Sequence, residues 1–317
     1  MAACYSQNKF NVTSYDNMAI LVTTLQAFAG MWINGFIISV LCMAWVKKKS
    51  LNSNEKILLF LGCCRVLYLC VTWVSSFLQS IYPLCYQVQP IPRILTASQS
   101  FLNFTNLWVS ACLCVFYCIK IANFRHTFFT YLKAKIDGMV PWLLLVSVLL
   151  SLAIGILIYN VAQEAEFGNF DFTSLGNLWK LSIRVDERVF PVFLAAGLGF
   201  AISFMAVIFS AFLLLFSLWR HKLRMQTNSM KNHSVDVHIK AIKYILSFFF
   251  LYTINFICLV LALAYATKEA NPLMFLVSVV QYAFPAVHSL ILIFSNPNLK
   301  KTLLRALPCV RCKVCKR

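Results

Sequence analysis

The side chains here that could move protons, attack a carbonyl or grip a metal are five histidines, thirteen cysteines and ten acids. Zinc hydrolases place two imidazoles one helical turn apart, as H-x-x-x-H or H-E-x-x-H. His126, His221, His233, His238 and His288 make no such pair. There is no glycine-rich phosphate loop and no serine set in a G-x-S-x-G elbow. Cys309, Cys312 and Cys315 have ligand-like spacing, but no fourth ligand is close. Their place in a basic tail also suits thioester acylation by a fatty acid, or free thiols. The expectation is a protein that is not an enzyme, with no cofactor and no metal. Two ionisable residues remain, Arg65 and His288, each embedded in a long apolar run.

Those runs must position everything else. Seven of them fill the chain: Met18–Val46, Ile57–Tyr82, Ile94–Ile119, Met139–Ala162, Val189–Trp219, Tyr244–Thr267 and Ala270–Ser295. Each exceeds the ~20 residues a helix needs to cross a hydrocarbon core. Peptide groups cannot be left unpaired in lipid, so such runs must be helices. The composition, 61% hydrophobic and 12% charged, is far from that of soluble domains, in which about a quarter of residues are charged. The predicted fold class is an all-α membrane protein, a seven-transmembrane helix bundle with a short C-terminal interfacial helix. Residues 1–17 form an N-terminal segment, 18–295 the membrane domain and 296–317 an amphipathic helix and basic tail. Leu299, Leu303, Leu304 and Leu307 share one face of that helix, opposite Lys300, Lys301 and Arg305.

The net charge of +18 is a topology signal. Segments 47–56, 120–138, 220–243 and 296–317 carry all of that excess, whereas 1–17, 83–93, 163–188 and 268–269 sum to −1. Short loops rich in Lys and Arg stay cytoplasmic, which puts the N-terminus outside and the C-terminus inside a plasma membrane. The basic face then meets anionic lipid of the bilayer, and no nucleic-acid partner is implied. Residues 1–17 lack a basic n-region with a small-residue cleavage site, so no cleavable leader is expected and the first run is expected to act as its own signal anchor. Most cysteines sit inside the runs as small apolar residues. Only Cys4 and Cys85 fall in the outer segments, where they could pair or stay free. Asn11-Val-Thr13 is the outer glycosylation sequon. Asn103-Phe-Thr105 lies in a span and Asn232-His-Ser234 on the inner side.

Proton- or ion-coupled carriers place carboxylates in the bilayer and usually show repeats with paired broken helices. The seven runs hold no acid, and no internal repeat is visible. A small-molecule transporter is therefore the weaker rival to a receptor.

The motifs resemble those of the type 2 taste receptors, the bitter taste receptors. Gly30-Met-Trp-Ile-Asn34-Gly-Phe36-Ile37 follows their G-x-x-x-N-x-F-I, and Leu61-Gly-Cys-Cys-Arg65 stands where they carry L-A-x-S-R. Phe116-Tyr117-Cys-Ile-Lys120-Ile121-Ala122-Asn123-Phe124 is similar to their F-Y-F-L-K-I-A-N-F. The fifth run leaves through Phe216-Ser217-Leu218-Trp219-Arg220-His221-Lys222, and the sixth opens His238-Ile-Lys240-Ala241-Ile-Lys243. Phe284-Pro285-Ala-Val-His288-Ser289 and Asn296-Pro-Asn298-Leu299-Lys300 resemble Y-P-x-x-H-S and N-x-K-L-K. The chain departs from the family in having no sequon in 163–188, and Ser203 where relatives have a mid-helix proline. It also carries Cys112 where they often have Ser or Thr. Vomeronasal type 1 receptors are a related alternative, against which the H-S-x-x-L and K-I-A-N-F stretches argue.

The resemblance implies a receptor for small bitter compounds that activates a heterotrimeric G protein of gustducin-like or inhibitory type. Trp108 and Tyr252 match positions that line the family's ligand site. Helical spacing adds Cys112, Asn255, Leu259, Ser278 and Gln281, with Trp73, Phe193 and Phe200 at the margin. An acid-free, aromatic-lined cavity suits mostly uncharged ligands. Arg65 lies ~13 Å of helix from the inner end of its span, so it must face the bundle and find acceptors such as Asn34, Ser289 or backbone carbonyls. His288 nearby is expected to stay neutral. Arg125, His126, Lys133, His221, Met225, Lys240, Lys243 and Lys300 are expected on the G-protein face. Rhodopsin-like receptors hold sodium on an Asp at the position of Arg65, so no sodium sensitivity is expected.

Overall fold

The computed structural model describes residues 14–122, 127–167, 190–226, 246–258, 261 and 272–314. Among the described residues all regular structure is helical. In chain order the helices are α1 (Ser14–Lys48), α2 (Ser53–Ile81), the single turn α3 (Pro83–Tyr86), α4 (Ile91–Ile121), α5 (Thr127–Phe167) and α6 (Phe190–Gln226). There follow α7 (Leu246–Cys258), α8 (Pro272–Ser295) and α9 (Pro297–Val314). Helices α1, α2, α4, α5, α6 and α8 are long and apolar enough to cross a membrane, and α7 is a shorter apolar helix.

Local chemistry sets the ends. Lys49 takes a left-handed φ of 54°, and its N–H reaches the Trp45 carbonyl at 2.7 Å, closing α1. The Glu55 carboxylate accepts the Asn52 N–H at 2.9 Å and starts α2. Asn296 Oδ1 accepts the N–H groups of Asn298 and Leu299 at 3.0 and 3.3 Å, with Pro297 following in the first helical position of α9. Helix α5 begins at Thr127, well before the apolar run at Met139. Its added turns are amphipathic and place Phe129, Leu132 and Ile136 on the core.

Helix α4 is central, packed against α2, α5 and α6, while α1 lies between α2 and α8. At Gly30 a methyl group would sit 2.6 Å from Leu69 Cδ1, so a larger residue there would have to push the buried Leu69 side chain aside. One cluster, with Ile37, Leu41, Leu58, Leu61, Leu113 and Leu292 at its heart, fills the end that carries α9. Leu299 is buried in it and Leu303 packs beside it, whereas Leu304 of the same helix is 54% exposed. A second cluster, with Phe104, Phe200, Phe248 and Tyr252, joins α4, α5, α6 and α7.

The surface inverts the soluble pattern. Trp32, Trp142, Phe209 and Phe250 lie exposed, while Asn34, Arg65, Ser110, Ser151, Ser203 and His288 are buried. Water would penalise so much apolar surface; a hydrocarbon solvent reverses the sign and drives the polar groups inward.

Candidate functional site

Arg65 on α2 is 1% exposed, and its guanidinium bridges three helices. Nη1 donates to Ser289 Oγ on α8 at 2.6 Å, and Nη2 donates to Ser110 Oγ on α4 at 3.3 Å. Nη2 also meets His288 Nδ1 on α8. A guanidinium has no acceptor, so Nδ1 must accept, and the ring proton sits on Nε2. His288 is thus a neutral ligand of the arginine. Ser289 spends its own proton on Asn34 Oδ1 at 2.7 Å, and Asn34 Nδ2 donates to the Gly30 carbonyl at 2.8 Å. The chain through Ser289 is directional: Arg65 Nη1 donates to Ser289, Ser289 to Asn34, and Asn34 to the α1 backbone. No described acid joins it, so the buried charge is held by oxygen lone pairs and one imidazole. The expected partners Ser289 and Asn34 are present, Asn34 through Ser289. Ser110 and the accepting role of His288 went unforeseen; a serine two residues after Trp108 carries little signal by itself.

Aromatic rings enclose His288. Phe248, Tyr252 and Phe284 have centroids 4.5, 5.5 and 5.7 Å from its ring, and Tyr252 contacts both phenylalanines. Tyr252 and Phe200 are buried, and Phe200 meets Phe104 edge-on at 6.1 Å. Trp108 packs half-buried against this cluster, and its indole N–H has no acceptor among the described residues. Cys112 turns toward α5, with Sγ 3.5 Å from Ser147 Oγ. Since Ser147 donates to the Leu143 carbonyl, the thiol is the donor in that contact. Trp73 donates to Thr24 Oγ1 at 3.2 Å on the α1 side. Asn255, Ser278 and Gln281 are half-buried on α7 and α8. Leu259, and the side chain of Phe193, lie outside the described residues, as does Asn11.

At the α9 end a cavity of about 420 Å³ opens between α2, α4, α6, α7 and α8. Asn52, Glu55, Tyr117, Ser210, Phe248 and Asn296 are among its walls. Tyr117 and Asn296 belong to motifs quoted above, but nothing in those motifs pointed to a shared wall, because loop and helix-end residues acquire one only through the fold. Lys120 lies on the neighbouring rim, 2.5 Å from Asp137 Oδ2. Lys133 Nζ is 3.4 Å from the Ala122 carbonyl, and Lys300 is exposed on α9. Arg125, His126, Lys240 and Lys243, and the side chains of His221 and Met225, lie outside the described residues.

A buried arginine clamp and a cavity at the α9 end thus lie in a bundle with its polar groups inside, and comparison with known proteins identifies the family. A family model described as "Taste receptor protein (TAS2R)" matches residues 12–311. The chain belongs to the type 2 taste receptors. It is 31% identical over 304 residues to human taste receptor type 2 member 9, covering 95% of this chain and 96% of that one. It is similarly 31% identical over 300 residues to chicken taste receptor type 2 member 40, covering 91% and 94%. Gorilla taste receptor type 2 member 8 matches at 30% over 301 residues, covering 93% and 96%. This taste receptor is therefore a multi-pass membrane protein of the G-protein-coupled receptor class, and its family is not one of enzymes. The clamp lies on three stretches quoted above: Asn34 in the first-helix motif, Arg65 at the end of the second, His288 and Ser289 in the last.

Proposed function

We propose that this taste receptor detects small, mostly uncharged bitter compounds in the outer half of a seven-span bundle and activates a heterotrimeric G protein, gustducin-like or inhibitory, from the cytosol. The N-terminus faces outward at the plasma membrane, and α9 lies along the inner leaflet. The observation that carries this reading is Phe248. It lines the α9-end cavity, meets the Tyr252 ring at a tilt with centroids 4.7 Å apart and touches His288, so one α7 side chain belongs to the cavity, the aromatic cluster and the clamp. A compound seated against Trp108 and Tyr252 bears on α7. Rotating α7 reshapes the cavity that receives the G protein.

Agonism then needs only differential affinity for the open state. The indole N–H of Trp108 is a donor for a ligand oxygen, and the described ligand region contains no acid to bind an amine. Screening a panel of bitter compounds on cells that express the receptor with a matching G protein should give calcium responses without uptake of the compounds. Compound uptake with no G-protein response would sink the reading.

A further inference from the structure

The α3 turn, between α2 and α4 at the end opposite α9, carries Cys85, and Cys85 is disulfide-bonded. Its partner follows by elimination. Cys42, Cys63, Cys64, Cys70, Cys112, Cys114, Cys118 and Cys258 are all free. Of the thirteen cysteines, that leaves Cys4, Cys309, Cys312 and Cys315.

The last three are too far away. Helix α4 runs 31 residues from beside α3 to Ile121, which shares a cavity wall with Pro297 at the start of α9. At 1.5 Å per residue that is ~46 Å. Even if α9 pointed straight at α3, its full length to Cys315 would cover only ~27 Å, and a disulfide needs its Cα atoms within ~7 Å. Cys4 has no such obstacle. Helix α1 starts at Ser14 on the α3 side, and the ten residues back to Cys4 can span ~33 Å when extended.

We infer that Cys4 and Cys85 form a disulfide that straps the segment ahead of α1 to the α2–α4 turn. The loop it closes contains α1, α2 and the Asn11 sequon. Its anchor is rigid: Tyr86 beside Cys85 is buried, and the rings of Phe28, Trp73, Phe77 and Tyr82 run in successive contacts of 5.8, 5.5 and 6.0 Å from α1 along α2 to α3. The strap thereby fixes the α1–α2 rim of the proposed ligand entrance. Chemically, one cysteine thiolate attacks the disulfide of an oxidising thiol–disulfide carrier, and the other displaces the carrier from the mixed disulfide. The receptor loses two thiol protons and two electrons, and the carrier leaves as a dithiol. That the bond forms in an oxidising lumen rests on the outward orientation proposed above.

Peptide mapping of the full-length receptor without reduction tests the bond directly, and is expected to give one species that joins the Cys4 and Cys85 peptides and separates on reduction. On intact cells a membrane-impermeant maleimide should label neither thiol before reduction. The C4S variant should expose Cys85 to one label, and C85S should expose Cys4. A free Cys85 in the unreduced wild-type receptor, or a Cys85 peptide linked to any other cysteine or to a second copy of the chain, overturns the inference. Labelling of the reduced receptor only after permeabilisation would refute the outward orientation, while the linked peptide would still establish the bond.

Discussion

The two halves of this bundle are built from different materials. Around α9 the core is mainly aliphatic: Ile37, Leu41, Leu58, Leu61, Leu113 and Leu292 interlock, with Phe116 beside them, around helix ends whose backbone groups are capped. Toward α3 it is aromatic, with Phe104, Phe200 and Tyr252 in one cluster and Phe204 stacked flat on Phe256 at 4.0 Å. Branched aliphatic side chains fill space in few arrangements and shift between discrete packings. Flat rings offer faces and edges to a ligand, with a polar handle on Trp and Tyr. On the function proposed above, recognition belongs to the ring-rich half and coupling to the aliphatic half. Arg65 sits where they meet and binds α2, α4 and α8 together, so a change in one half must be transmitted past it or through it.

The largest effect should come from removing that junction. Arg65→Ala leaves Ser110, Ser289 and His288 Nδ1 without their donor, and unpaired buried polar groups cost ~1–3 kcal/mol each. A cavity is added to that loss. Folding should fall by more than ~3 kcal/mol, read as a lower melting temperature of the solubilised receptor and lost surface expression. Arg65→Lys should restore only part, because a single ammonium cannot span the three acceptors. If Arg65→Ala melted like wild type, the two halves would be held together by packing alone. Ser289→Ala should then cost more than Ser110→Ala, since Ser289 has the shorter bond and also carries the link to Asn34.

A smaller and more selective effect is expected at Trp108. Replacing it with Ala removes a half-buried ring from the aromatic layer but leaves the clamp intact. Surface expression should be largely kept, while agonist potency falls roughly tenfold, or about 1.4 kcal/mol of binding. Concentration–response curves across several agonists decide it. Unchanged potency throughout would remove recognition from the aromatic half.

Sequence revealed these layers unequally. Arg65 announced itself because a lone guanidinium in lipid must find acceptors, and that physical demand also named Ser289 and Asn34. Ser110 did not, since a serine in a span can satisfy itself on its own backbone, as Ser147 and Thr105 do. Helical spacing placed Cys112 one turn from Trp108, yet a 3.6-residue period fixes only an angle, and the neighbouring Ser147 decided where the thiol points. The start of α5 was set too late because apolar length stops at the charges of Lys133, Lys135 and Asp137. The helix there is held by one packed face, and its other side is polar. The cavity at the α9 end was not legible, because Asn52, Tyr117 and Asn296 come from three separate stretches and meet only in the bundle.

The smallest effect expected is none. Sodium between receptor helices needs a carboxylate and oxygens without competing positive charge. The position that resemblance assigns to that carboxylate is Arg65, and its surroundings already spend their lone pairs on the guanidinium. At 4 Å, two unit positive charges repel by ~4 kcal/mol at an effective dielectric of 20, enough to lower ion occupancy about a thousandfold. Replacing sodium chloride with the chloride of a bulky organic cation, at constant ionic strength, should therefore leave agonist potency unchanged. A reproducible sodium-dependent shift would mean that the clamp opens in one of the receptor's states, and that Arg65 can leave its three acceptors. That outcome would make the junction a moving part, and the boundary between the two halves would have to be redrawn around its second position.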